Sequence, residues 1–433
     1  MKQNLFYVCR QQAGRLPFAV TSLLLALAAC GCYTSMYAFR KAFTAGIFQE
    51  ITLWGVDYKV WLVIVQVFGY MLSKFYGIRF ISERAGKHRA LKIMLLIGIS
   101  WLALLGFALV PAPYNIPFLF INGFPLGMIW GLVFAYLEGR RTTEFLGAVM
   151  STTLVFASGL VKTVARILMD KWDVSVFWMP FYTGLLFVAP LLLCTFILEI
   201  MPKPDAQDIA LRTERLPMNR KERQTFLAAY LPGLTFTIIT YLLLTILRDI
   251  RDNFEVEIWA DLGIHDNHIY AKIDSFIAII VLISMSLLIL VKDNFKAFSY
   301  IHGIIIIGCL LISFSTWCFI THKIDPIPWM TLAGLGVFMA YIPYNAIYFE
   351  RFIAAFRQRG NIGFVMYLAD SVGYLGSVSV LLVKELGFIS ISWGKFFIQA
   401  TLGVGLLAAV MACGAFWYFS YRKQGNKAAN PIS

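Results

Sequence analysis

The stretch Tyr33-Thr34-Ser35-Met36-Tyr37-Ala38-Phe39-Arg40-Lys41 closes an apolar run that begins near residue 17. Such a run meets the roughly 20 residues that a helix needs to cross about 30 Å of hydrocarbon. The two cations at its end are out of place there, because a charge at membrane depth costs roughly 2.5 to 3.5 kcal/mol on insertion scales. It is retained where protein or a watery cavity receives it, so Arg40 reads as a site candidate.

The same pattern recurs along the chain. Further apolar runs fall near residues 60–82, 91–111, 116–137, 146–168 and 178–199, then 225–247, 271–291, 300–320, 328–349, 362–383 and 394–420, which makes twelve spans. Hydrophobic residues supply 59% of the chain and charged residues 14%, with a mean hydropathy of +0.73, values that exclude a soluble globular composition. The polar segment 200–224 parts the spans into two sets of six. The expected class is an all-α polytopic membrane protein of twelve transmembrane helices in two six-helix halves, residues 1–199 and 225–433, joined by a cytoplasmic linker, 200–224.

Orientation follows from lysine and arginine near the span ends. Arg79 to Lys92, Arg140-Arg141, Lys203 to Arg223, Arg351 to Arg359 and Arg422-Lys423 all lie on the side shared by the termini. That side is expected to be cytoplasmic, in a multi-pass protein of the cell inner membrane. The net charge of +13 is then topological, with the lipid bilayer as partner and no nucleic acid. The seven cysteines are scattered without a CxxC pair and read as packing residues.

Charge within the spans is uneven. Spans three, four, six, nine, ten and twelve have apolar interiors, whereas Arg40, Lys41, Lys74, Lys162, Arg166, Arg248, Arg251, Asp274 and Asp370 sit in or at the ends of the others. The first span of each half ends in arginine with a tyrosine seven residues earlier, Tyr33 to Arg40 and Tyr241 to Arg248, two turns apart on one face. Planar guanidinium forks satisfy a phosphate monoester bidentately, so one arginine from each half could bridge such an anion. The alternative is that each arginine marks a helix end, with Arg248 paired to Asp252 at i, i+4. Arg251 is the rival for Arg248, and Asp249 also stands beside it. Asp370 could take up a proton or neutralise Lys74, and Asp274 is divided in the same way. His265 and His268 with Asp261 offer metal-ligand types, but their spacing in a loop points to no metal. No Walker, dinucleotide or nucleophile-elbow motif argues for an enzyme or a cofactor.

Tyr33-x3-Tyr37-x2-Arg40-Lys41-x-Phe43, then Phe68-Gly69-Tyr70-x2-Ser73-Lys74-Phe75 and Ser82-Glu83-Arg84, resembles the first two helices of the organophosphate:inorganic phosphate antiporters of the major facilitator superfamily, the glycerol-3-phosphate and hexose-phosphate carriers. Gly123-x3-Gly127-Met128-x-Trp130 and Gly373-Tyr374-Leu375-Gly376 are similar to that family too. The resemblance implies phosphate-binding arginines at Arg40 and Arg248, a cavity lysine at Lys74 and aromatic lining at Tyr33 and Tyr37. It also implies that the loop Glu83-Arg84-Ala85-Gly86-Lys87 serves gating, with Arg84 locking one side. In this fold the third and sixth helices of each half face lipid, which the charge map obeys. The chain departs from the family in span five, where Phe156 stands in place of a histidine; Lys162 and Arg166, one helical turn apart, could supply cationic character instead, or Arg166 could pair with Asp170 or reach an outer interface. Those departures suggest a divergent bacterial branch. The expected function is secondary transport of a small anion, a phosphorylated metabolite exchanged for inorganic phosphate. The alternatives are a proton-coupled carrier of a sugar or carboxylate, and a membrane receptor that binds a phosphorylated ligand without transport.

Overall fold

The computed structural model describes residues 5–48, 51–84, 88–204, 208, 220–356, 363–388 and 391–429. Among them the chain is helical almost throughout. Ten helices are long and apolar enough to cross a membrane: Phe18–Ala45, Arg89–Leu109, Ile116–Leu137, Thr143–Trp172, Met179–Ile200, Gln224–Asp261, Ile269–Ile289, Asn294–Ile320, Pro326–Phe356 and Trp393–Gln424. The helices Tyr58–Arg84 and Gly363–Val383 take the places of spans two and eleven, which completes the twelve of an all-α, multi-pass membrane protein. A short helix, Leu5–Ala13, precedes span one.

The chain falls into two compact units. The first gathers Met1–Arg212 with His265–Ala278 and Leu381–Ser390, and the second gathers Thr213–Ile264, Ile279–Val380 and Ile391–Ser433. The division passes through the interior of span eight and the last turn of span eleven.

In the first unit, a polar node draws four spans together. Asn122 of span four, fully buried, donates to the carbonyls of Phe39 at 2.9 Å and Ser100 at 3.0 Å, and accepts from Gln66 at 2.7 Å. Gln66 also donates to the Arg40 carbonyl at 2.7 Å, and Ser100 returns a bond to the Asn122 carbonyl at 3.0 Å. The carbonyls of Phe39 and Arg40 lie at the C-terminal end of span one, where a helix leaves its last acceptors unsatisfied. Lipid offers no water to fill them, so amide side chains from spans two and four do. Around the node, Gly123 and Gly127 let span four press on span two. A Cβ at Gly123 would lie 2.4 Å from the Gln66 carbonyl oxygen, and one at Gly127 would lie 2.7 Å from that of Tyr70. Spans one and two are joined by a hairpin that pairs Thr52 with Asp57 and Leu53 with Val56. Its turn residues Trp54 and Gly55 both have positive φ, at 54° and 74°, the geometry that matches the twist of a two-residue hairpin.

In the second unit, the mutual approach of Gly308 and Gly336 seats span nine on span ten, each Cβ position lying under 3 Å from the other's carbonyl oxygen. Gly373 and Gly376 do the same for span eleven against Thr245 and Leu242 of span seven. Asp293 caps span nine by accepting from the Lys296 amide at 2.7 Å, and that bond holds its carboxyl below the usual range.

One feature departs from the sequence-based expectation. Span seven does not end near residue 247, because helical structure runs from Arg220 to Asp261 with one kink at Phe254. Hydropathy counts every charge as an exit from the membrane, but Arg251 and Glu255, both fully buried, sit four residues apart with 3.4 Å between their charged groups, so both charges are accommodated inside the protein. Spans four and ten are broken where prolines stand, as the prolines at 125 and 343 suggest. Span four divides into Ile116–Leu126 and Ile129–Leu137 just after Pro125, and Pro343 is followed by the π-turn Tyr344–Tyr348.

Replacing Asn122 by Leu would strand the Phe39 and Ser100 carbonyls and the Gln66 amide together. We expect Asn122→Leu to cost about 2 kcal/mol of stability, read as a lower melting temperature of the purified protein, with Asn122→Gln less damaging. An unchanged melting temperature would show that the node does not hold the four spans.

Candidate functional site

In the first unit, Arg40 lies buried at the end of span one with its guanidinium carbon 3.8 Å from the Tyr70 ring centre and 5.8 Å from that of Tyr37. Tyr33 packs edge-on against Tyr37 with ring centres 5.5 Å apart, so the three residues named from span one share one surface, with Tyr70 of span two as a fourth member. Stacking on a π face holds a guanidinium in place while leaving its edge donors directed elsewhere. Lys74 follows Tyr70 by one turn of the same helix, and Arg84 is the last residue of that helix. The side chains of Lys74 and Arg84 lie outside the described residues.

Lys162 is fully buried in span five. Gly159, one turn before it, receives span eight so closely that its Cβ position would lie 2.4 Å from the Tyr270 carbonyl oxygen and 2.7 Å from the Asp274 carboxylate. Asp274 is thereby brought to the face of span five that carries Lys162. Further along, Thr163 accepts from the Ala271 amide at 3.2 Å, and Arg166 donates to Asn267 at 3.2 Å with Asp170 at 3.7 Å. Arg166 therefore belongs to a helix-end pairing, as one of its two sequence readings has it.

In the second unit the expected residues Arg248 and Asp370 meet in one network. Tyr241 donates to the Asp370 carboxylate and its hydroxyl lies 2.9 Å from that of Tyr341. Arg248 donates through Nη1 to the Tyr341 hydroxyl and its guanidinium carbon lies 4.5 Å from the Tyr341 ring centre and 5.8 Å from that of Tyr374. Nε and Nη2 of Arg248 both donate to Oδ1 of Asp249, at 3.1 and 2.5 Å. A continuous line of polar contacts thus runs from Asp370 through two tyrosines to Arg248 and Asp249. The Tyr-to-Arg spacing of the sequence places Tyr241 and Arg248 on one face of span seven, and Pro343 with the π-turn shapes the part of span ten that carries Tyr341. Gly373 allows span eleven close enough to bring Asp370 and Tyr374 in. Arg251 is directed away into its contact with Glu255 and stands 5.5 Å from the Phe338 ring centre.

The pairing of Arg248 with Asp249 rather than Asp252 is not what helical spacing suggests, since residues at i, i+1 do not face each other. Tyr70, Gln66 and Asn122 also escape a search for charge. The signal that finds the two amides is a polar side chain in the middle of an otherwise apolar run. His302 is a further buried group, in span nine, with Nδ1 at 2.9 Å from the Phe298 carbonyl and Nε2 at 3.3 Å from the Tyr348 hydroxyl.

The chain is similar to the crystal structure of a D-xylose-proton symporter, with a TM-score of 0.60 at 13% identity over 92% of this chain and 97% of that one. At that identity the likeness establishes the fold, which is the major facilitator fold. No curated protein matches the chain at a significant level. Residues 42–422, nearly the whole of the membrane region, match one family, and the chain belongs to it: the family of unknown function DUF5690.

Proposed function

We propose that this protein is a secondary transporter of a small anion, working by alternating access, and that the solute is a phosphorylated metabolite exchanged for inorganic phosphate. The observation that carries this reading is the sign of the buried charge. Among the described residues of 1–199, the charged side chains buried are Arg40, Lys41, Lys59 and Lys162, all cations. Lys59 donates to the Thr44 carbonyl at 2.7 Å, and Lys162 has the Asp274 carboxylate near its own face. Arg40 has the planar fork suited to an oxyanion and is held by stacking on Tyr70. In this reading Arg40 and Arg248 each receive the anion, Tyr33 and Tyr37 shape the surface around Arg40, Lys74 and Lys162 add positive potential, and Asp370, Asp274, Arg84 and Arg251 serve gating or coupling. The protein acts as a carrier rather than an enzyme, in the inner membrane with both termini cytoplasmic, a placement that rests on the lysine and arginine bias of the loops.

A second reading, a proton-coupled carrier of a sugar or carboxylate, is favoured by the line of hydroxyls that ends on Asp370. The solved relative of the same fold is itself named a proton symporter.

The deciding experiment is phosphate exchange in proteoliposomes with phosphate esters, sugars and carboxylates as competitors. Arg40→Lys keeps the charge and loses the fork, so exchange should fall by roughly tenfold or more; full exchange in that variant would exclude Arg40 as the anion ligand. Asp370→Asn should slow phosphate exchange, as a gating residue requires, while phosphate binding is kept. Loss of acid-driven sugar or carboxylate uptake in Asp370→Asn, with no phosphate exchange in the parent protein, would establish the second reading instead. Ligand binding without any flux would indicate a receptor.

A further inference from the structure

The hairpin between spans one and two carries at its tip a residue that the turn itself does not favour. Trp54 has φ 54°, in the left-handed region where a bulky side chain is an outlier and where Asn or Gly is the common choice for a two-residue turn. Its side chain is also 81% exposed. Neither the backbone nor the core of the first unit accounts for an indole at this point, and a strained, exposed aromatic of this kind calls for a contact outside the chain. The ring is nevertheless held in one direction. Trp54 meets Trp61 edge-on, with ring centres 5.6 Å apart, and Trp61 Nε1 donates to the Leu53 carbonyl at 3.0 Å. Trp61 thus braces both the strand before the turn and the indole on it.

Trp61 in turn heads a stripe. From Tyr58 to Phe68 of span two, the residues that are not buried are Trp61, Val65 and Phe68, spaced i, i+4 and i+7 on one face of the helix. Val65 and Phe68 form an apolar groove with Phe120 and Ile121 of span four. In a bundle that crosses a membrane, an open face of that composition meets hydrocarbon. Trp54 and Trp61 stand where this face ends. Tyr114 is exposed just before span four, and Trp172 and Tyr182 are exposed where span five ends and span six begins, so aromatics gather at the same end of the unit. Such rings collect at the headgroup level, where one side of the ring is apolar and the other wet. Residues 52–56 carry no charged side chain, which keeps the hairpin tip compatible with that layer.

We propose that the hairpin is a lipid anchor: the Trp54 indole enters the phospholipid headgroup layer on the side opposite the termini, continuing the lipid-facing stripe of Trp61, Val65 and Phe68. The anchor reaches a second element through the far strand. There the Asp57 amide donates to Glu385 Oε2 at 3.3 Å, and Glu385 Oε1 accepts from Lys384 at 2.8 Å. Lys384 and Glu385 open the π-turn Lys384–Phe388 at the end of span eleven, in the segment that belongs to the first unit. One short ribbon therefore ties the end of span eleven to the headgroup layer, whichever solute the protein carries.

Two measurements on the full-length protein in phospholipid bilayers test this. Trp54→Asn removes the ring and gives the turn a residue suited to its φ, so the emission lost in the variant is that of the one indole. That emission should be quenched by phospholipid brominated high on its acyl chains, and several-fold less by aqueous iodide than the emission of free tryptophan. Quenching by iodide alone overturns the proposal and leaves the tip facing water, open to a soluble partner. A signal that shifts with the protein-to-lipid ratio overturns it too, in favour of a second copy of the chain. The second measurement is deuterium uptake at 52–57 and 384–388. In bilayers it should rise several-fold at both segments in Trp54→Asn, and in detergent by much less. A rise at 52–57 alone overturns the tie to span eleven. An equal rise in detergent reduces Trp54 to packing on Trp61 and overturns the anchor, as does no rise at all. Trp54→Leu carries both measurements should Trp54→Asn not fold.

Discussion

A backbone carbonyl that loses its helical partner inside hydrocarbon has no water to accept in exchange, and this constraint organises the protein around the end of span one. The carbonyls of Phe39 and Arg40 are received by the amides of Asn122 and Gln66. Because those amides belong to spans four and two, satisfying the end of one helix also sets the positions of two others, and Ser100 adds span three. The glycines at 123 and 127 are the steric counterpart, since amide groups reach across only where backbones come close. Arg40 is thereby fixed at its backbone by hydrogen bonds and at its side chain by the Tyr70 ring. Uncharged groups thus share in holding a cation that is costly at this depth.

The second unit meets the same constraint in another way. Charges of span seven are paired along the helix, with Asp249 beside Arg248 and Glu255 one turn from Arg251, and tyrosine hydroxyls carry the polar line onward to Asp370. The Tyr-to-Arg spacing common to spans one and seven therefore ends in two different environments. In one the guanidinium lies on an aromatic face, and in the other it is engaged by a neighbouring carboxylate. Internal similarity of sequence extends to the position of the arginine but not to the rings packed against it.

The number of spans is legible in the chain because hydrophobic length is a property of composition, and the fold class follows from it. Charge position is legible for the same reason, so Arg40, Lys162, Asp274 and Asp370 stand out from an apolar background. Two kinds of information are not. The end of span seven is hidden because hydropathy treats Arg251 and Glu255 as exposed charges, whereas one helical turn between opposite signs lets both be buried. The partner of Arg248 is hidden because spacing rules nominate Asp252, and only the three-dimensional path of a long side chain shows that Asp249 wins. Asn122 and Gln66 are single polar residues whose meaning depends on four helices meeting, which no local window contains.

Span seven has a mechanical property that its chemistry does not express. The apolar stretch Gln224–Asp261 counts 38 residues, which at about 1.5 Å each is about 57 Å of helix on the two sides of one kink, nearly twice the roughly 30 Å of a hydrocarbon core. Its one departure from helical geometry is Phe254, at φ −119° and ψ 19°, where Trp393 stacks on the ring with centres 3.5 Å apart. The rod is thus a lever with an elbow, clamped at the elbow by an aromatic from span twelve. A tilt of only a few degrees about that clamp would carry the far end by several ångströms while moving Arg248 and Asp249, within two turns of it, very little.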